Sequence, residues 1–355
     1  MVSLSFTIKE ATVEDFQLDF KSKSLTSRQL VEFYRDEILR LNQSLKAVIE
    51  ASHSVPCAWN PYSAQGQHCN KGSNEHHAKL RQAGAIILGK ASLTEWANFR
   101  GNTMPDGWCA RSGQGKNPYS TEGGTCGSSS GPAISAAANL AAVTLGTETD
   151  GSILCPLAIR PSSVSELPLV SPAEQESSPL LPDRTPPICR TVADTVYVLD
   201  AIVGEDLNDE ATIEASKYIP KGGYKQFLKI DGLKRNRLAL LGDLFLDDQN
   251  TTGIGEKKKD AIQKLANMSR DGFEKLMTEN NLDALLLPFS YGSSILATGQ
   301  HPGIIVPAGY DTEGLPFGLS FGGLKGSEPT LIQIAYDFEQ ATKIRRPPTF
   351  THSSY

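Results

Sequence analysis

Apolar residues recur at helical spacing near the start of the chain, where Leu30, Tyr34, Ile38 and Leu41 fall on one face. That helix opens on Thr26-x-x-Gln29, and a shorter one, Val13 to Lys21, opens on Thr12-x-x-Asp15. Both spacings suit a capping box, in which the threonine hydroxyl and the side chain three residues on satisfy each other's backbone N–H. Residues 51–77 then carry Pro, Asn, Ser, His and Gly with no apolar period and read as coil, long for a loop inside a compact domain. A helix near His77 to Ala83 and a buried strand, Ala85–Leu88, closed by Gly89, follow. A Gly/Ser-rich stretch, 112–131, leads into a helix of small residues, Ala133–Leu140. Pro132 suits its first turn, where the missing N–H would be unpaired anyway. Next come a strand, Ala142–Leu145, and a second irregular stretch, 161–187. Helices are predicted around Val192–Val203 and 256–279, and strands at Leu282–Leu287, Gly303–Pro307 and Leu315–Phe321. A last helix, capped near Ser327 with Pro329 in its first turn, turns Leu331, Ile334, Ala335 and Phe338 inward. Helices alternating with short apolar strands predict layered α/β architecture around a sheet.

Composition narrows the function more than the fold. With 355 residues the chain can bury a large core, read here as one domain over 1–355. A formal charge of −6 argues against a phosphate-neutralising protein, so no nucleic-acid partner is expected. No stretch approaches the run of about 18 apolar residues that spans a bilayer. The N-terminus lacks the basic and apolar parts of a signal peptide, which favours a cytoplasmic location. The six cysteines are scattered without C-x-x-C spacing, which points to reduced thiols. Cys57, His68, Cys69, His76 and His77 cluster, but at spacings that match no usual zinc framework. No metal and no cofactor are expected.

Two Gly/Ser segments concentrate the chemistry: Gly123-Gly124-Thr125-Cys126-Gly127-Ser128-Ser129-Ser130-Gly131, and Gly146-Thr147-Glu148-Thr149-Asp150-Gly151-Ser152-Ile153-Leu154-Cys155-Pro156. Taken singly, each could be a solvated turn. Neither holds a phosphate-binding glycine motif. Gly127 to Gly131 formally satisfies G-x-S-x-G, yet the nucleophile elbow of that pattern needs a strand before it, and Ser120–Thr125 does not read as one. Loops of this kind can also present several N–H groups and hydroxyls to one point, as an oxyanion site requires.

Together the two segments resemble the amidase signature family, with Ser128 and Ser152 separated by 24 positions. Flanking blocks match in order: Ala83 to Gly101, Arg190 to Asp194, Pro302 to Tyr310, Pro316 to Gly323 and Phe338 to Thr342. The resemblance covers most of 5–160 and 185–350 and is closest to plant-type members. It implies α/β/α layers around a mixed sheet and hydrolysis of a small-molecule carboxylic amide through an acyl-enzyme. Ser152 would be the nucleophile, and Ser128, on a cis peptide bond, would pass its proton to a lysine. Backbone N–H groups of Thr149, Asp150, Gly151 and Ser152 would hold the oxyanion, and Gly127 and Ser129 would line the substrate. A weak serine nucleophile needs such a relay.

The resemblance also implies a lysine in an apolar strand, and Ser52 to Asn74, which stands there, holds no such strand. Lys46, Lys71 and Lys79 lie nearby without an apolar frame that would desolvate an amine, and Lys90 belongs to a different block. The block after Ser152 is replaced by Ala158 to Ser165, and a segment is absent near 243–250. The expectation is an incomplete amidase-type domain with impaired hydrolysis. Its alternatives are an inactive amidase-like protein with an interaction or regulatory role, or a truncated gene product. A component of a tRNA-dependent amidotransferase is a third reading, weakened by the acidic charge.

Overall fold

The structure is a computed structural model that describes residues 8–51, 71–101, 103–120, 123–158, 185–205, 213, 215–240 and 263–349. Both capping boxes form. Thr12 starts α1 (Val13–Ser22) and Thr26 starts α2 (Ser27–Leu45), each hydroxyl accepting from the backbone three residues on. Tyr34, Ile38 and Leu41 are buried, and Leu30 packs in the cluster that holds Tyr34. Asp194 ties α1 to the middle of the chain by accepting the Val13 N–H at 2.7 Å.

Strand β1 (Val48–Ala51) pairs antiparallel with β2 (Gly89–Ala91). This pairing corrects the strand expected at Ala85–Leu88. The backbones meet where Gly89 lies against the Glu50 carbonyl so closely that a Cβ would overlap it. Between β1 and β2 runs α3 (Lys71–Gln82), which begins inside the stretch read as coil. Its sequence shows no apolar period, but Leu80 packs against Cys189, Val198 and Ile202, so tertiary contact supports it. The rest of that stretch, including Cys57, His68 and Cys69, lies outside the described residues, as do 161–184 and 243–250.

A short hairpin, β3 (Trp108–Cys109) and β4 (Gly113–Gln114), precedes α4 (Ser130–Ala137). Helix α4 starts earlier than the predicted Ala133, so Pro132 is its third residue. Strand β5 (Val143–Leu145) pairs with β6 (Pro187–Cys189), and between them α5 (Leu154–Ala158) follows the second Gly/Ser segment. Then come α6 (Val192–Ile202), α7 (Gly232–Arg235) and β7 (Leu238–Leu240). Helix α8 (263–279) has a π-helical middle, Ser269–Glu274. Last are β8 (Ala284–Pro288), α9 (Ser293–Gly299), β9 (Gly303–Tyr310), β10 (Pro316–Gly322) and α10 (Glu328–Thr342).

Four strands form a mixed sheet in the order β7-β8-β10-β9, with β7 and β8 parallel and the other pairs antiparallel. Side chains alternate between its faces. Leu285, Leu287 and Ile305 join a core with Ala133, Leu154, Leu157, Phe273 and Leu296, from α4, α5, α8 and α9. Ala284, Ile304, Val306 and Phe321 join the opposite core with Val196, Leu199, Leu331 and Ile334, from α6 and α10. Helices therefore cover both faces, the α/β/α layering the resemblance implied. Among the described residues no helix is long and apolar enough to cross a membrane.

Candidate active site

The first Gly/Ser segment ends against the backbone of Ser92–Thr94. Thr94 N–H donates to the Ser128 carbonyl at 3.0 Å, and Gly131 N–H donates to the Ser92 carbonyl at 3.1 Å. Gly127 and Gly131 allow this approach, since a Cβ on either would overlap Thr94 Oγ1 or the Ser92 backbone. The Gly127–Ser128 peptide bond is cis, and Ser128 is 1% exposed.

The second segment is folded around Glu148. Its buried carboxylate accepts N–H groups from Gly151 at 2.6 Å, from Leu154 at 2.8 Å and from Ile153. The carboxylate thus serves the free N–H groups where α5 begins, a favourable place for negative charge. Burial pushes the Glu148 carboxyl up to about 7, with the three N–H donors pulling the other way. Gly151 takes a left-handed φ of 76°, which sets the turn just before Ser152. Ser152 itself is half-buried.

Tertiary contact brings the two segments together. Ser129 N–H donates to the Ser152 carbonyl at 2.9 Å. Ser129 Oγ donates to the Thr147 carbonyl at 2.9 Å and accepts the Thr147 N–H at 3.0 Å. Its hydroxyl, expected to line the substrate, is committed to joining the segments. Of the four expected oxyanion donors, the Gly151 N–H already faces Glu148, and Asp150 is exposed and accepts a hydrogen bond from Ser294 Oγ at 2.9 Å. Cys126 and Cys155 are joined by a disulfide, a correction to the reduced thiols expected from their spacing. Their Cα atoms lie 5.8 Å apart, a separation that sequence distance could not reveal.

Sequence reasoning also missed Glu148 and Ser294. The signal for Glu148 was an acidic residue just ahead of a short apolar helix; Ser294 had none, because its partner is 144 positions away. The lysines sit elsewhere. Lys90 pairs with Glu50 at 3.2 Å, and Lys46 is the left-handed C-cap of α2. Among the described residues no lysine amine hydrogen-bonds to the Ser128 or Ser152 hydroxyl.

A mixed sheet layered by helices, with two serine-bearing Gly/Ser segments meeting at the start of a helix, defines an α/β protein of amidase architecture. The Amidase family model matches residues 67–275. A probable amidase of Arabidopsis thaliana is 40% identical over 481 aligned positions, which take in 98% of this chain and 93% of that protein. The chain belongs to the amidase family. A component of the glutamyl-tRNA(Gln) amidotransferase of Legionella pneumophila is 26% identical over 84% of this chain and 61% of its own length. The native peptide amidase of Stenotrophomonas maltophilia superposes with a TM-score of 0.82 at 28% identity, over 96% of this chain and 99% of that one. The alignment to the Arabidopsis protein is longer than this 355-residue chain, so that protein carries residues between the matched blocks that this chain lacks.

Proposed function

We propose that this chain is an amide hydrolase of the amidase signature type, in one domain, with Ser152 as the nucleophile and Ser128 as its proton carrier. Ser152 Oγ attacks the amide carbon and passes its proton to Ser128. The amine leaves with a proton, and water then releases the acid from the acyl-enzyme. Backbone N–H groups of Thr149, Asp150 and Ser152 receive the developing oxyanion, and Glu148 holds the turn that carries them. Hydrolysis is impaired, because the block that would supply the lysine is absent and losing one member of such a relay removes nearly the whole effect.

The observation that carries the reading is the 2.9 Å bond from Ser129 to Ser152, which joins the two serine segments within the amidase fold. The substrate is a small carboxylic amide; the name of the peptide amidase makes a peptide-like amide the first to try.

The test is labelling of the folded chain with a fluorophosphonate probe, beside Ser152→Ala and Ser128→Ala. The expected result is slow labelling of the wild type, abolished in Ser152→Ala and weakened in Ser128→Ala, with little amide turnover. No labelling of a chain that circular dichroism shows to be folded would leave the inactive, amidase-like reading in its place.

A further inference from the structure

Cys126 stands two residues before Ser128, and Cys155 stands three residues after Ser152. Their disulfide spans a sequence separation of 29 and joins the two serine segments covalently. Cys155 lies in the first turn of α5 and donates its N–H to the Gly151 carbonyl at 2.8 Å, so any pull on its sulfur reaches the Ser152 turn. On the other side, Cys126 has a left-handed φ of 45°, an uncommon conformation for a residue with a side chain, held immediately before the Gly127–Ser128 bond. The other direct links between the segments are the hydrogen bonds of Ser129 to Ser152 and Thr147, each individually weak in water.

The four described cysteines divide into two kinds. Cys109 and Cys189 are free and buried, and burial pushes the Cys189 thiol up. Cys126 and Cys155 are only partly buried, in contrast to the two free thiols. The exchange chemistry needs access, because an external thiolate must approach one of the sulfurs.

We propose that Cys126 and Cys155 are positioning residues. Their disulfide holds the Ser128 segment in register with the Ser152 turn, and reduction by a dithiol loosens that register and slows reaction at Ser152. In the exchange, one thiolate of the dithiol attacks a protein sulfur and forms a mixed disulfide. The second thiol of the reagent then displaces the protein thiolate. Two electrons and two protons pass to the protein, leaving both cysteines as thiols and the dithiol as its own disulfide. The Ser129 hydrogen bonds are not cleaved by this exchange but open more often once the tie is lost, so reduction misaligns the site without dissolving it. The inference rests on the proposed function for its effect on Ser152, but not for the state of the sulfurs.

The full chain is tested with and without dithiothreitol by three measurements. Iodoacetamide alkylation read by mass spectrometry reports the thiols. Fluorophosphonate labelling at several probe concentrations separates the maximal rate from the half-saturating concentration. Amide hydrogen exchange reports the Ser129 and Thr147 N–H groups. Without reductant, Cys126 and Cys155 resist alkylation. After reduction both are alkylated, and the maximal labelling rate falls about tenfold, the scale on which a small misplacement slows a positioned reaction. The half-saturating concentration and the circular dichroism spectrum stay unchanged. Reoxidation with oxidised glutathione restores the rate, and the Cys126→Ser/Cys155→Ser double variant is fixed at the reduced rate and indifferent to dithiothreitol. A purely structural bond would instead move thermal stability and leave the labelling rate alone. Alkylation of both cysteines without reductant overturns the inference, and so does an equal labelling rate in the two states. If neither state labels, the proposed function fails separately; unchanged exchange at Ser129 and Thr147 on reduction then overturns the tie, and faster exchange upholds it.

Discussion

The backbone N–H of Ser129 donates to the carbonyl oxygen of Ser152 across 2.9 Å. This bond puts two segments that are distant in sequence edge to edge and brings the residue beside Ser128 against the expected nucleophile. Around it, Glu148 shapes one segment from within, Ser92 and Thr94 support the other from behind, and the Cys126–Cys155 bond joins both. Each of these supports can be weakened singly by substitution.

Glu148 makes stability depend on pH. Its carboxyl is raised to about 7 from 4.5, first by burial, so between these values the folded chain retains a proton that the unfolded chain has released. Its contribution is therefore present below about pH 4.5 and is lost as pH rises through 7. Urea unfolding of the wild type and of Glu148→Gln should diverge accordingly. The wild type's free energy relative to the variant should fall by about 2–3 kcal/mol from about pH 5 to about pH 8. A difference that is flat or rises with pH would contradict this account.

Gly131 tests the support behind Ser128. A methyl group there would overlap the Ser92 backbone, which cannot yield as a flexible side chain does. Gly131→Ala should cost about 1–3 kcal/mol in urea melts and slow fluorophosphonate labelling. Gly272→Ala is the control: its Cβ would meet nothing within 4 Å, and helix propensity should leave it neutral or up to about 1 kcal/mol more stable. Equal effects from the two substitutions would refute the close-approach argument.

Arg190 anchors the buried junction between the chain start and the α4–β5 connection. Arg190 is 3% exposed, and its guanidinium donates to the carbonyls of Ala141 at 2.8 Å and Ala11 at 2.7 Å, with Glu10 3.7 Å away. Arg190→Met keeps apolar volume but leaves those acceptors without their donor. The expected loss is about 2–4 kcal/mol by chemical denaturation. A loss under about 0.5 kcal/mol, the ordinary range of surface substitutions, would show that the acceptors find other partners.

Ser294 reaches the site from the opposite side of the chain. Its hydroxyl donates to Asp150 at 2.9 Å, fixing the residue before the Gly151 turn. In Ser294→Ala one hydrogen bond worth about 1 kcal/mol is lost, so fluorophosphonate labelling should slow about fivefold while the melting temperature barely moves. A large fall in melting temperature with labelling unchanged would make Ser294 a structural residue only.

Local patterns made much of this chain legible. Thr12-x-x-Asp15 and Thr26-x-x-Gln29 announce two helices because a capping box is completed within four residues. The run of small residues marks α4 as a closely packed helix, and the Leu331, Ile334 and Ala335 spacing marks the buried face of α10, because both patterns are local. The Gly/Ser segments and their flanking blocks, taken in order, were enough to state the amidase resemblance.

What failed depended on partners far along the chain. Strand β2 lies at Gly89–Ala91 rather than Ala85–Leu88 because the Glu50 backbone selects the residue with no Cβ, and α3 extends because Leu80 finds the β6–α6 core. The pairing of Cys126 with Cys155 and the reach of Ser294 to Asp150 likewise leave no local period. By itself the sequence determined the residue types available for chemistry and the helices that cap and bury themselves. Tertiary structure alone decided which of those residues meet, because a hydrogen bond or a disulfide depends on separation in space, and folding sets that separation independently of distance along the chain.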